Sequence, residues 1–238
     1  MSVLAILQAR MTSSRLPRKV LMDVEGMPMI GRQLERVKKS KLVNEIVVAT
    51  SVDSSDDELV DYVEDFGVIV QRGPLKDVLQ RFIEVLDVYD FRDVVRLTAD
   101  CPLADSDVID GTIEMYLNCN FDYVSNTQVR TFPRGLDVEV FNNRVLREVA
   151  KNDESAMSRE HVTYGIYTRA DLYSIANFSQ KPSFADFRWT VDTQEDLDFV
   201  RNVYKNLYPA NANFCQGEIL KWLEQFPEYA NYETGEFS

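Results

Sequence analysis

The sequence predicts an α/β fold, with a mixed, mostly parallel central sheet and helices on both faces. Three observations carry that expectation. Short apolar runs alternate with segments of helical apolar spacing through the first half of the 238-residue chain. The links between them are short, as strand–helix–strand units require. The runs are apolar throughout rather than alternating, which is how strands buried on both faces read.

Residues 3–7 (VLAIL) predict the first strand. Residues 28–40 place Met29, Ile30, Leu34 and Val37 on one helical face. A β-branched run, EIVVAT, gives a second strand at 45–50. Ser54 and Ser55 before Asp57 and Glu58 read as a helix start, and Gly67 as its stop. Residues 68–70 and 93–97 are further strands, separated by a helix through Val78, Leu79, Phe82, Ile83 and Leu86. Another helix spans 108–117. After residue 118 the texture becomes richer in strands, predicted at 121–125, 136–141, 164–168, 172–176 and 188–191. Helices at 193–204 and 214–226 follow, then an acidic tail from residue 231. No Pro/Gly/Ser-rich linker divides the chain. The expected organisation is one domain over 1–208, including a region of different texture at about 121–177, and a C-terminal helix and tail over 209–238.

Composition narrows the function. A net charge of −13 disfavours nucleic acid and anionic membranes as partners, because binding a polyanion needs many phosphate contacts. No apolar run approaches the ~20 residues that span a bilayer. Three cysteines without CxxC spacing imply neither a disulfide framework nor a zinc site, and the first residues do not read as a secretion signal. A cytoplasmic location is expected.

Against this acidic background, Arg10, Arg15, Arg18 and Lys19 cluster in QARMTSSRLPRKVL, residues 8–21. The loop follows a buried strand, where ligands of such sheets bind. Its backbone N–H groups and the Ser13 and Ser14 hydroxyls suit phosphate oxygens, the arginines add planar forks, and Lys19 adds a point charge. Neither GxxxxGK[ST] nor GxGxxG is present, so the residues alone indicate an anion-binding loop. Asp100 follows the fourth strand and shares the strand-end position.

The loop resembles the opening motif of the SpsF-type cytidylyltransferases of spore-coat polysaccharide synthesis, relatives of the CMP-sialate and CMP-ketodeoxyoctonate synthetases. The resemblance continues in order through EIVVATS (45–51), RGPLKDVLQRF (72–82), VVRLTADCPL (94–103), DYVSN (122–126), TFPRGLDVEVF (131–141), REHVT (159–163) and RWTVDTQEDL (188–197). It spans about residues 3 to 204. Ala99 and Arg18 stand where the family pattern has glycine. The resemblance implies a Rossmann-like nucleotide-diphosphosugar transferase fold. It also implies transfer of CMP from CTP to an acidic or phosphorylated sugar, with Mg²⁺ as cofactor and pyrophosphate as leaving group.

On the same grounds, Arg10, Arg15 and Lys19 are the expected catalytic cations. Gln8, Ala9, Ser13, Ser14, Arg72, Asp77 and Arg81 join them in binding the nucleotide. Asp100 and Asp192 are the expected Mg²⁺ ligands, carboxylates being what that ion prefers. Asn126, Arg134, Asp137, Glu139, Arg159 and His161 are the expected acceptor contacts, and a homodimer through the mid-chain strands is expected.

Several of these residues have plainer readings. Asp192 precedes a helix and could cap it, but Thr193 is the better cap candidate. Asp105-Ser106-Asp107 matches the DxD of glycosyltransferases, yet reads more simply as a helix start. His161 and the alternating Asp137 and Glu139 also fit ordinary packing. A glycosyltransferase or an inactive nucleotide-binding protein are the competing functions.

Overall fold

The computed structural model describes residues 2–231. Its strands are β1 (Val3–Gln8), β2 (Val43–Ser51), β3 (Ile69–Gly73), β4 (Asp93–Thr98), β5 (Tyr123–Ser125), β6 (Glu139–Asn142) and β7 (Ile175–Asn177). The helices are α1 (Met29–Val37), α2 (Asp57–Asp65), α3 (Val78–Val88), α4 (Ser106–Cys119), α5 (Asn143–Asn152), α6 (Ala156–His161), α7 (Tyr164–Tyr167), α8 (Gln194–Leu207) and α9 (Gln216–Gln225). The strands form one sheet in the order β3-β2-β1-β4-β6-β5-β7. β1 to β4 pair in parallel, β6 is antiparallel to both β4 and β5, and β7 is parallel to β5.

β1 is central because it is apolar on both sides. Val3, Ala5 and Leu7 pack with α1, α2, α4, α8 and α9, while Leu4 and Ile6 pack with α3, α5 and α7. Each face of the sheet therefore carries its own core, which accounts for the unbroken apolar run. The chain winds from β1 outward to β3, then returns to place β4 on the other side of β1. That reversal splays the loops after β1 and β4 apart and opens a crevice at their C-terminal ends.

Two expected strands take other forms. In place of the strand expected at 164–168, Tyr164–Tyr167 form the short helix α7: Ile166 is fully buried against α5, and the Tyr167 and Thr168 amides close helical turns onto the Thr163 and Tyr164 carbonyls. Gly165 permits this close approach, since a Cβ there would lie 2.5 Å from Val149 Cγ1. Residues 188–191 make only a bridge to Arg134, extended backbone whose amides bond singly to the neighbouring loops. β7 begins three residues later than predicted, and Leu172 is exposed in the preceding turn. Helices α5 and α6 occupy a stretch for which the sequence indicated few helices.

The C-terminal helix belongs to the main core: Ile219, Trp222 and Leu223 of α9 pack with α8 and α1. Its lead-in is fixed by Arg36, which donates to the carbonyls of Ala104 and Phe214 at 2.5 and 2.9 Å. The expected acidic tail lies, beyond residue 231, outside the described residues. Among the described residues, no helix is long and apolar enough to cross a membrane.

Candidate active site

The crevice beyond β1 and β4 holds a cavity of about 370 Å³. The loop after β1 forms one wall. Met11 anchors it: its side chain is buried, its amide donates to Asp56 Oδ1 at 2.7 Å, and its carbonyl accepts from the amides of Ser13 and Arg18. Asp56 is itself fully buried and also takes the Thr50 and Ser51 hydroxyls, tying the loop to the end of β2. Arg18 closes the loop with φ +64°, the left-handed region where a glycine costs nothing. A single 3₁₀ turn, Lys19–Leu21, then points Lys19 inward.

Gln8, Ala9, Arg10, Ser13, Ser14, Arg15, Lys19, Arg81, Asp100, His161 and Asp192 all line this cavity, as does Arg96. Asp100 and Asp192 converge on Lys19. The ammonium donates to Asp192 Oδ1 at 3.0 Å and to the Val191 carbonyl at 2.6 Å, and lies 3.9 Å from Asp100 Oδ2. The Val191 amide in turn donates to the Asp100 carbonyl at 2.8 Å, which joins the two loops. Thr193 caps α8 in a capping box with Asp196, leaving the Asp192 side chain free to face the cavity.

Asp192 is ringed by cations: Lys19 and Arg15 at 3.0 Å and Arg188 at 2.6 Å. Burial pushes its carboxyl upward. Lys19, then Arg15 and Arg188, outweigh that and hold it below the ordinary aspartate range. Arg81 is 2% exposed, and its Nε and Nη1 have no hydrogen-bond partner among the described residues. Burial, and then the charge of Arg10, lower its pKa, with Asp56 and Asp77 opposing. A buried guanidinium with open donors on a cavity wall is a ready anion contact.

The two carboxylates fit a hard divalent cation. A positive group already stands between them, and a Mg²⁺ ion commonly takes one or two carboxylates, completing its shell with phosphate and water. Among the described residues no cluster of three or more acidic, histidine or cysteine side chains is grouped to hold a metal ion.

A second cavity of about 460 Å³ adjoins the first and shares Arg96, Thr98 and His161 with it. Arg134, Asp137, Glu139, Thr127, Gln128 and Tyr167 line the rest. Glu139, 7% exposed, is fully engaged: Arg96, the Tyr123 hydroxyl at 2.7 Å and the Thr163 hydroxyl at 2.5 Å all donate to it. Arg130 grips Asp137 through two bonds of 2.6 and 2.9 Å.

Four expected contacts line neither cavity. Arg72 donates to the Ser51 and Asp53 carbonyls and pairs with Asp57, bracing the β2–α2 link. Asp77 caps α3 through the Gln80 amide. Arg159 ties Asp77 to the Ala150 carbonyl. Asn126, fully buried, staples its loop through the Leu136 carbonyl and the Val138 amide. In each case these partners lie outside both cavities. Asp105 also lies outside, capping α4 and accepting from the Gln216 amide at 2.6 Å.

Sequence patterns had not singled out Asp56, Arg96 or Arg188 as functional. The signal for Asp56 was its place just before a helix and after a β-branched run. For Arg96 it was a charge inside an otherwise apolar strand, VVRL.

Comparison with known proteins follows the same lines. Residues 4–226 match the profile of the cytidylyltransferase family. The chain is 35% identical to an uncharacterized protein of Methanocaldococcus jannaschii, over 98% of this chain and 95% of that one. It is 30% identical to the spore coat polysaccharide biosynthesis protein SpsF of Bacillus subtilis, over 96% of each. A cytidylyltransferase structure from Leptospira borgpetersenii superposes over the full length of both chains with a TM-score of 0.93 and 28% identity.

Proposed function

The chain belongs to the cytidylyltransferase family and is a nucleotidyltransferase; from that premise we propose that it transfers CMP from CTP to an acidic or phosphorylated sugar, with Mg²⁺ bound by Asp100 and Asp192. One observation carries the reading. The cationic loop and the two carboxylates meet in one crevice, and that crevice opens directly into a second polar cavity.

The chemistry is an in-line displacement at the α-phosphorus. A bond forms from the acceptor oxygen to phosphorus as the bond to the pyrophosphate bridging oxygen breaks. With a hydroxyl acceptor one proton is released; a phosphate acceptor attacks with an oxygen already anionic. Such a step depends on positioning and charge neutralisation rather than covalent help from the protein. Bound between the carboxylates, Mg²⁺ would neutralise charge on the phosphate oxygens. Arg10, Arg15, Lys19 and Arg81 hold the triphosphate, and the Ser13 and Ser14 hydroxyls orient it. Lys19 and Arg15 leave Asp192 for the phosphates when nucleotide arrives. Arg134 and His161 face the sugar.

The test is pyrophosphate release with each of four nucleoside triphosphates against acidic and phosphorylated sugars. CTP with Mg²⁺ and one such sugar is expected to give turnover. Asp100→Asn and Asp192→Asn are each expected to lower it by at least about 100-fold with the circular dichroism unchanged. Equal rates with UTP would sink the assignment of CMP, and full activity in both variants would sink the metal assignment. We also propose a homodimer through the region of β5 and β6, to be checked by sedimentation, where monomer alone at working concentration refutes it.

A further inference from the structure

Arg96 occupies the border between the two cavities. It stands on β4 opposite Glu139 in register, on the same face of the sheet as Gln8. Its Nε donates to Gln8 Oε1 at 3.0 Å and its Nη1 to Glu139. The other terminal nitrogen, Nη2, has no protein partner among the described residues, and the side chain lines both cavities. Two fixed partners hold the planar guanidinium in one orientation, so the N–H groups of Nη2 are aimed before any ligand arrives.

The chemistry of the wall favours an anion, because the open end of a held guanidinium faces a cavity with a mostly polar lining. Position narrows this further. The attacking oxygen must approach the α-phosphorus to roughly 3–3.5 Å before reaction. It must therefore lie at the border of the two cavities, which Arg96, Thr98 and His161 share. A group touching Arg96 is then a bond or two from the attacking atom. An anion at the far end of the sugar would instead lie deeper, towards Arg134.

We propose that Arg96 is a specificity-determining residue that binds an acceptor anion at or beside the reacting position. The acceptor is then a sugar acid with its carboxylate on the reacting carbon, or a sugar 1-phosphate. This rests on the transfer reaction proposed above.

Wild-type protein, Arg96→Lys and the double variant Arg96→Met/Glu139→Gln would be compared. The double variant removes both charges, because Arg96→Met alone would strand a buried carboxylate. The acceptors are ketodeoxyoctonate and hexose 1-phosphates on one side, hexose 6-phosphates and hexuronates on the other. Wild-type protein is expected to use the first group. Both variants should raise the acceptor KM at least about tenfold, as lost charged hydrogen bonds do. Calorimetric CTP affinity without acceptor should stay within about twofold of wild type, since that complex lacks the anion Arg96 binds. Equal acceptor KM, a matching loss of CTP affinity, or wild-type preference for the second group would each overturn the proposal. A separate arm titrates inorganic phosphate into CTP-saturated protein. Weaker phosphate binding in both variants supports the Arg96 site even if no sugar turns over, in which case the transfer reading fails alone. Unchanged phosphate binding overturns the site.

Discussion

Asp192 holds three cations on one carboxylate, and its pKa is lowered as a result. A carboxyl depressed on folding adds stability that is complete above its ordinary value of 3.8 and is lost as pH falls through the folded value. Asp192→Asn should therefore lower stability by about 2 kcal/mol at neutral pH. That gap should close only as pH falls below the ordinary value of 3.8 and through the lower folded value, where wild-type protein is itself protonated. Urea unfolding of both proteins from about pH 8 down to about pH 2 measures it, and a gap unchanged at the acid end refutes the coupling. At this scale the sequence was partly legible. The loop arginines, Lys19 and the two aspartates sit in continuous motifs. Asp56, Arg96 and Arg188 act through partners made by folding: the Met11 amide 45 positions away, Glu139 across β4 and β6, and Asp192 in its loop. Arg18 is a case where sequence and geometry agree, because the position where the family pattern has glycine is the one with left-handed backbone.

At the scale of elements, the parallel half of the sheet was readable because its strands are buried on both faces and need no partner to be recognised. The second half was not. Aromatic and β-branched content in YGIYT suggested a strand, but burial of Ile166 against α5 on a single helical turn won. Asp105 and Asp107 illustrate how an element start can mimic a metal motif. Asp105 caps α4 and also fixes the start of α9 through the Gln216 amide, and it is 4% exposed. Asp105→Ala should cost about 2 kcal/mol in urea unfolding. Asp107→Ala should cost less than about 0.5 kcal/mol. Neither should change pyrophosphate release at 25 °C. Loss of turnover in a folded Asp105→Ala protein would move the metal site to that motif.

Over the whole molecule, the segment after residue 208 packs into the main core. Phe214, Ile219, Trp222 and Leu223 complete the layer that covers β1, and Asn231 closes back on the site's flank. Its carbonyl accepts from the Arg188 amide at 2.8 Å and its side chain donates to Asp196 Oδ1 at 2.8 Å. Truncation after residue 208 should therefore expose apolar faces of α8 and α1 and lower the midpoint of thermal unfolding by more than about 10 °C. A truncated chain melting within a few degrees of wild type would show that the C-terminal helix is an accessory.

The antiparallel course of β6 has a consequence for how such a protein can change. The segment 126–138 leaves the sheet at β5 and re-enters at the adjacent β6, so its two ends are anchored on neighbouring strands on one side of β4, while β1 and β2, which carry the cationic loop, lie on the other side. Length and composition can vary there without altering the register of β1 to β4. The sheet thus separates the strands that carry the cationic loop from the segment 126–138. A graft of this segment from a relative tests the proposed acceptor role of that side: the acceptor range should change while CTP affinity stays.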